Sequence, residues 1–116
     1  MSQMLHVDDA GGVLEVSFLE KNILDESNIQ QIGKELDEAV QGQNSRNMII
    51  NFGNVEHLSS AALGILITMN NRMADMGGQM CLANIRPEIY EVFKITKLDR
   101  IFSIHETAKA ARDDLS

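Results

Sequence analysis

Apolar residues recur at two different spacings along the chain, and the switches between them mark its elements. "MLHV" and "VLEVSFL", separated by "DDAGG", predict a β-hairpin. Val13, Val16 and Phe18 are strand formers, and the Asp- and Gly-rich link supplies turn chemistry. "LDESNIQQIGKELDEAV" predicts an amphipathic helix, with Ile29, Ile32, Leu36, Ala39 and Val40 at the three-four spacing of one face. Ser27 followed by Gln30 forms a capping-box pattern, Asp25 is an alternative start, and "QGQNS" closes the helix with a glycine among polar residues. "MIINF", residues 48–52, has no alternation at all. It is short and β-branched in the middle, as expected of a central strand covered on both faces.

The next segment, "HLSSAALGILITM", sets two serines against an apolar run. Ala62, Ile65, Leu66, Met69, Met73 and Met76 share a helical stripe, while Leu63 and Ile67 lie off it, so the first two turns are apolar nearly all round. At this spacing the methionines belong to the core rather than to a plastic binding surface. "MGG" stops the helix, and "QMCLAN" is the next strand. Pro87 opens a further helix at its first position, with Ile89, Val92 and Phe93 on one face. "IFSI" reads as a last strand or extended segment and "ETAKAARDDL" as a terminal helix. Strands alternating with helices predict an α/β fold: a mixed, largely parallel sheet of four to five strands with about four helices packed against it. At 116 residues the chain is expected to be a single domain, 1–116.

Composition narrows the function classes. The chain is 44% hydrophobic and 23% charged, an ordinary globular balance. Its net charge of -7 disfavours nucleic acid, which requires a clustered basic face, and suits a locally basic protein partner. Cys81 is the sole cysteine, which rules out an internal disulfide; in a buried strand it reads as a small hydrophobe. The N-terminal residues lack the basic start and apolar segment of a signal peptide, and no apolar run approaches the roughly 20 residues that cross a bilayer. A cytoplasmic location without membrane insertion is expected.

The candidate chemistry centres on the serines. A serine before a helix is the expected N-cap. Capping accounts for one serine, but not for two, nor for the apolar ring behind them. The loop over 52–60 leaves the carboxyl end of the expected central strand, where open α/β sheets meet ligands and partners. Gly64, one turn into the helix, costs about 1 kcal/mol relative to alanine, which points to close approach by another backbone, internal or a partner's. A hydrolase built on Ser60, His57 and Asp25 would lack a Gly-x-Ser-x-Gly elbow and an oxyanion donor pair. His6 and His105 read as structural. No metal-ligand spacing, P-loop or dinucleotide fingerprint is present, so neither a metal nor a cofactor is expected. A phosphoacceptor receiver would need an acidic residue where Asn51 and Asn54 stand.

"VEHLSSAALGILI" resembles the signature segment of STAS domains, in particular the bacterial anti-sigma factor antagonists. "ILDESNIQQI", "MIINFGNVEHL" and "MADMGGQMCLANIRPEIYEVFKITKLDRIFSI" are similar to that family's other segments, in the same order. The resemblance implies a non-enzymatic protein that binds an anti-sigma factor, itself a serine protein kinase, and is phosphorylated by it. By position Ser60 matches the phosphorylated serine, with Ser59 the alternative. Asp25 matches the family's loop aspartate, and Leu63 and Gly64 its Leu-Gly pair. Ser59 stands where many members have Asp, and Ala62 where they have Gly. The implied partner-binding residues are Asp25, Ser59, Ser60, Leu63, Gly64 and Ile67, with Leu63 and Ile67 offering apolar surface beside the serines. The runner-up reading is a constitutive docking module, in a signalling or transporter-associated complex, that phosphorylation does not control. No feature of the sequence specifies an oligomeric state.

Overall fold

The strand that lacks alternation lies at the centre of the sheet. In the computed structural model, which describes residues 4–10, 12–23, 26–41 and 47–115, five strands run in the order β1-β2-β4-β6-β7. These are β1 (Leu5–Ala10), β2 (Val13–Phe18), β4 (Asn47–Asn51), β6 (Gln79–Ala83) and β7 (Ser103–His105). β1 and β2 pair antiparallel; every other neighbouring pair is parallel. β4 is third of the five, and the side chains of Met48, Ile49, Ile50 and Phe52 are fully buried, with Asn51 half-buried between them. Met48 and Ile50 face one core while Ile49 faces another, so both faces of the strand are covered.

The major core lies between the sheet and three helices: α1 (Glu26–Gln41), α2 (Ser60–Asp75) and α3 (Pro87–Ile95). Leu14, Val16 and Phe18 of β2 alternate into it, as do Met80 and Leu82 of β6. Ile29, Ile32, Leu36 and Val40 are buried on α1, and Ile89 and Phe93 on α3. All four phenylalanines join in one chain of ring contacts, Phe18 to Phe52 to Phe93 to Phe102, with centroids 5.3–6.0 Å apart. Glu35 of α1 accepts the N–H groups of Met4 and Leu5 at 2.9–3.2 Å, which ties α1 to the start of β1.

The other face carries α4 (Ala108–Leu115) alone. Its floor is Val13, Ile49, Cys81 and Ala83, and Ala111 descends into it fully buried. Arg112 reaches across to Glu15 of β2 at 3.1 Å.

Several local expectations shift. Ala10 pairs with Val13, so Asp8 and Asp9 extend β1 and only two residues separate the strands. Gly12 has φ +79, a conformation that two-residue hairpin loops demand and glycine supplies without strain. α1 begins at Glu26, so Ser27 lies inside its first turn and is not its N-cap; Asp25 and the stretch 42–46 lie outside the described residues. Met76, placed on the α2 stripe by spacing, is instead the helix C-cap and 40% exposed. Here Gly78 donates to the Met73 carbonyl and Gly77, with φ +81, to that of Ala74. That Schellman arrangement turns the chain away before Met76 can reach the core. Two further strands, β3 (Asn22–Ile23) and β5 (His57–Leu58), form a separate parallel pair that the pattern did not announce.

Candidate functional site

The loop between β4 and α2 is fixed by hydrogen bonds before the serines are reached. Phe52 donates its N–H to the Ala83 carbonyl at 2.9 Å, which extends the β4–β6 pairing by one rung. Asn51 then accepts the Gly53 N–H through its side-chain oxygen at 2.8 Å, an Asx turn that reverses the chain. Asn54 donates from its side-chain amide to the Phe18 carbonyl at 3.1 Å. So the two asparagines that stand in place of a receiver's acid do turn work here.

The little β3–β5 pair supplies the second anchor. Glu56 and His57 both donate their N–H groups to the Lys21 carbonyl, and Ser59 donates its own to Ile23 at 3.0 Å. Ser59 is thereby held at the end of a strand with extended backbone, φ -85 and ψ 164, the conformation of a helix N-cap. Its hydroxyl oxygen accepts the Ala62 N–H at 3.3 Å and its carbonyl accepts that of Leu63 at 3.2 Å.

The cap therefore belongs to Ser59 and not to Ser60. Ser60 is the first residue of α2, and it is exposed. The helix-start N–H groups of Ser60 and Ala61 precede those taken by Ser59, and the first turn carries no acidic side chain. An anion on Ser60 would meet the positive end of the helix dipole with no like charge in that turn.

The surface around Ser60 is smooth. Ala61, Gly64 and Thr68 are exposed, and Ile65 and Ile67 half-buried. A Cβ built on Gly64 would meet no atom within 4 Å, so no internal packing requires glycine there. Leu63, expected to leave apolar surface beside the serines, is 5% exposed and belongs to the core. Its backbone direction follows from the entry angle set at Ser59, which turns positions 62, 63 and 66 inward together. Of the expected apolar pair only Ile67 reaches the surface. Asp25 lies outside the described residues; Ile23, which anchors Ser59, precedes it by two positions.

A groove opens from the same corner, between β5 and α3. Leu58, Ile89 and Val92 line its floor, with Glu56, His57 and Glu88 around them. Apolar floor and acidic rim suit a partner of opposite charge. His57 is exposed, and among the described residues no hydrogen bond joins it to Ser60, so the hydrolase arrangement is not assembled.

One cluster escaped sequence reasoning. Cys81, His105 and Asp114 bring potential ligand atoms within 4.8 Å of one another beneath α4. Burial first, then the Asp114 charge, pushes the Cys81 thiol up from its ordinary value. The three positions lie on two strands and a helix, with no short spacing to announce them.

The sequence model of the STAS domain matches residues 10–111. With the mixed sheet, the β4–α2 junction and its serines in view, the fold and site define a STAS domain, and the chain belongs to that family. An anti-sigma F factor antagonist of Paenibacillus polymyxa is 21% identical over 115 residues, 99% of this chain and 97% of that protein. The anti-sigma-factor antagonist (STAS) domain protein of Planctomyces limnophilus superposes with a TM-score of 0.83, at 24% identity, over 92% of this chain and 93% of the other. The Bacillus cell fate determinant SpoIIAA, solved in its phosphorylated form, gives a TM-score of 0.71 at 18% identity, covering 97% and 99%. Among the described residues no helix is long and apolar enough to cross a membrane.

Proposed function

We propose that this STAS domain is an anti-sigma factor antagonist: it docks a serine kinase that is itself the anti-sigma factor, and phosphorylation of Ser60 breaks that complex. The observation that carries the reading is the division of labour between the serines. Ser59 holds the helix cap, so Ser60 is exposed at the helix start with no structural duty. The Paenibacillus relative named an antagonist and the phosphorylated structural neighbour support it.

The physical mechanism is occlusion rather than unfolding. A phosphate brings roughly -1.5 to -2 charge and strong acceptor oxygens. At the N-terminus of α2 that charge is favourable to the helix. It is unfavourable to a partner that must cover Ser60, Gly64 and Ile67, because the partner would have to desolvate it. The domain acts as a binding module in this reading, and its acidic groove rim favours a basic counterpart.

The test incubates the protein with any anti-sigma-type serine kinase found in its genome, and with ATP, followed by site mapping by mass spectrometry and binding titration. Phosphate is expected on Ser60. Ser60→Asp is expected to weaken binding while melting near the wild-type temperature. Phosphate on Ser59 alone would refute the assignment of the acceptor. No phosphate on either serine, with tight binding indifferent to Ser60→Asp, would replace the switch by constitutive docking.

A further inference from the structure

The register of the sheet places a second chemical cluster on the face away from the serines. Cys81 pairs with Ser103 and Ala83 with His105, so Cys81 and His105 are diagonal neighbours on adjacent parallel strands. Cys81 and Ala83 both face α4, and His105 shares their face by the two-residue period of the strand. Ala111 packs onto this floor, and Asp114, nearly one turn further along α4, comes down beside the imidazole. The three residues offer one thiol sulfur, one imidazole nitrogen and one carboxylate oxygen, all within 4.8 Å.

The imidazole is the unexplained member. His105 Nε2 is buried and makes no hydrogen bond, although Asp114 Oδ2 lies 3.4 Å away. A buried ring nitrogen left without a partner costs free energy, and such atoms are few in native proteins. The separation has another meaning. Nitrogen and oxygen ligands at about 2.0–2.1 Å from one tetrahedral zinc ion stand roughly 3.3 Å apart. The observed 3.4 Å matches that edge, with the Cys81 sulfur within 4.8 Å of both atoms.

We propose that Cys81 Sγ, His105 Nε2 and an Asp114 carboxylate oxygen form a zinc(II)-binding site between the sheet and α4. The donor set selects the metal class. A thiolate and an imidazole suit zinc, whereas calcium and magnesium take oxygen ligands. Three protein ligands leave one tetrahedral position for a water. Cys81 lies at the buried end and Asp114 at the exposed end, so the site has an entry path. Binding requires the Cys81 thiol to release its proton, and a bound ion would tie the last turn of α4 to β6 and β7.

The experiment titrates the metal-stripped full chain first with cobalt(II) and then with zinc(II). The expected result is a thiolate-to-cobalt charge-transfer band together with the intense visible bands of tetrahedral cobalt, both bleached by zinc. Cys81→Ser should abolish the charge-transfer band. Asp114→Asn, at an exposed position that the fold tolerates, should weaken zinc binding by at least the roughly 10–100-fold that loss of an outer-shell partner costs. Circular dichroism on each variant separates lost ligation from lost folding. A saturating cobalt spectrum without the charge-transfer band, or a band that survives in Cys81→Ser, would overturn the site. So would zinc affinity unchanged in folded Asp114→Asn.

Discussion

Gly64→Ala tests what the helix surface is for. Gly64 is exposed in the interior of α2, and the added Cβ meets nothing within 4 Å. There is thus no steric cost to set against the gain in helix propensity, about 1 kcal/mol, and a fully solvated methyl adds little burial in either direction. The hydrogen bond from the Thr68 hydroxyl to the Gly64 carbonyl, 3.1 Å, does not involve the new side chain. The net effect should be a gain of about 0.4–1 kcal/mol, read in urea as a higher midpoint with unchanged slope. For a domain of this size that corresponds to roughly 2–4 °C in melting temperature. The same methyl should damage partner binding, because an overpacked contact costs about 1–3 kcal/mol, or roughly fivefold to more than a hundredfold in dissociation constant. A destabilised variant would refute the open surface. A stabilised variant with unchanged affinity for the kinase would remove Gly64 from the docking face.

Two further outcomes follow from the same helix. Leu66→Ala should cost about 2–5 kcal/mol in chemical denaturation, since Leu66 is 1% exposed among Phe18, Ile23 and Ile29; a change within error would take it out of the core. Ser59→Ala should cost about 0.5–2 kcal/mol as a lost N-cap, while Ser60→Ala should stay within about 0.5 kcal/mol of wild type, and equal losses in thermal melts would contradict the division between the two.

What could be read in the sequence was what repeats within one element. The consecutive apolar residues Met48, Ile49 and Ile50 announced a strand with two covered faces, because a solvated face would have left polar residues at every second position. The spacing of Ala62, Leu66, Met69 and Met73 announced the buried side of α2. Helix-wheel position failed where a terminus intervenes: Met76 shares the stripe but sits at the cap, and Leu63, off the stripe, is drawn into the core by the entry turn. β3 and β5 escaped because two residues carry no period. The serine pair was visible as a pair, but its roles were not. Deciding which serine caps depends on the Ile23 carbonyl, 36 positions earlier, holding the Ser59 N–H. The cluster of Cys81, His105 and Asp114 is set wholly by strand register and by the docking of α4, neither of which leaves a local mark.

The anchoring of the β4–α2 junction also bears on how the proposed switch at Ser60 would coexist with a stable fold. The chain entering α2 is fixed from two sides. Phe52 is buried in the line of rings and hydrogen-bonded to β6, and Ser59 is tied to β3. Rearranging the Phe52 anchor would break buried packing worth several kcal/mol, as large-to-small changes at core phenylalanines do, about 3–5 kcal/mol each, and moving Ser59 would break its hydrogen bond to β3. Charge added at Ser60 touches neither anchor. It faces solvent, next to helix N–H groups that favour it. On the proposed reading, the cost of phosphorylation would therefore fall on the partner's side of the interface, where desolvating the phosphate would oppose binding, and the domain itself would need no change of shape to change its affinity.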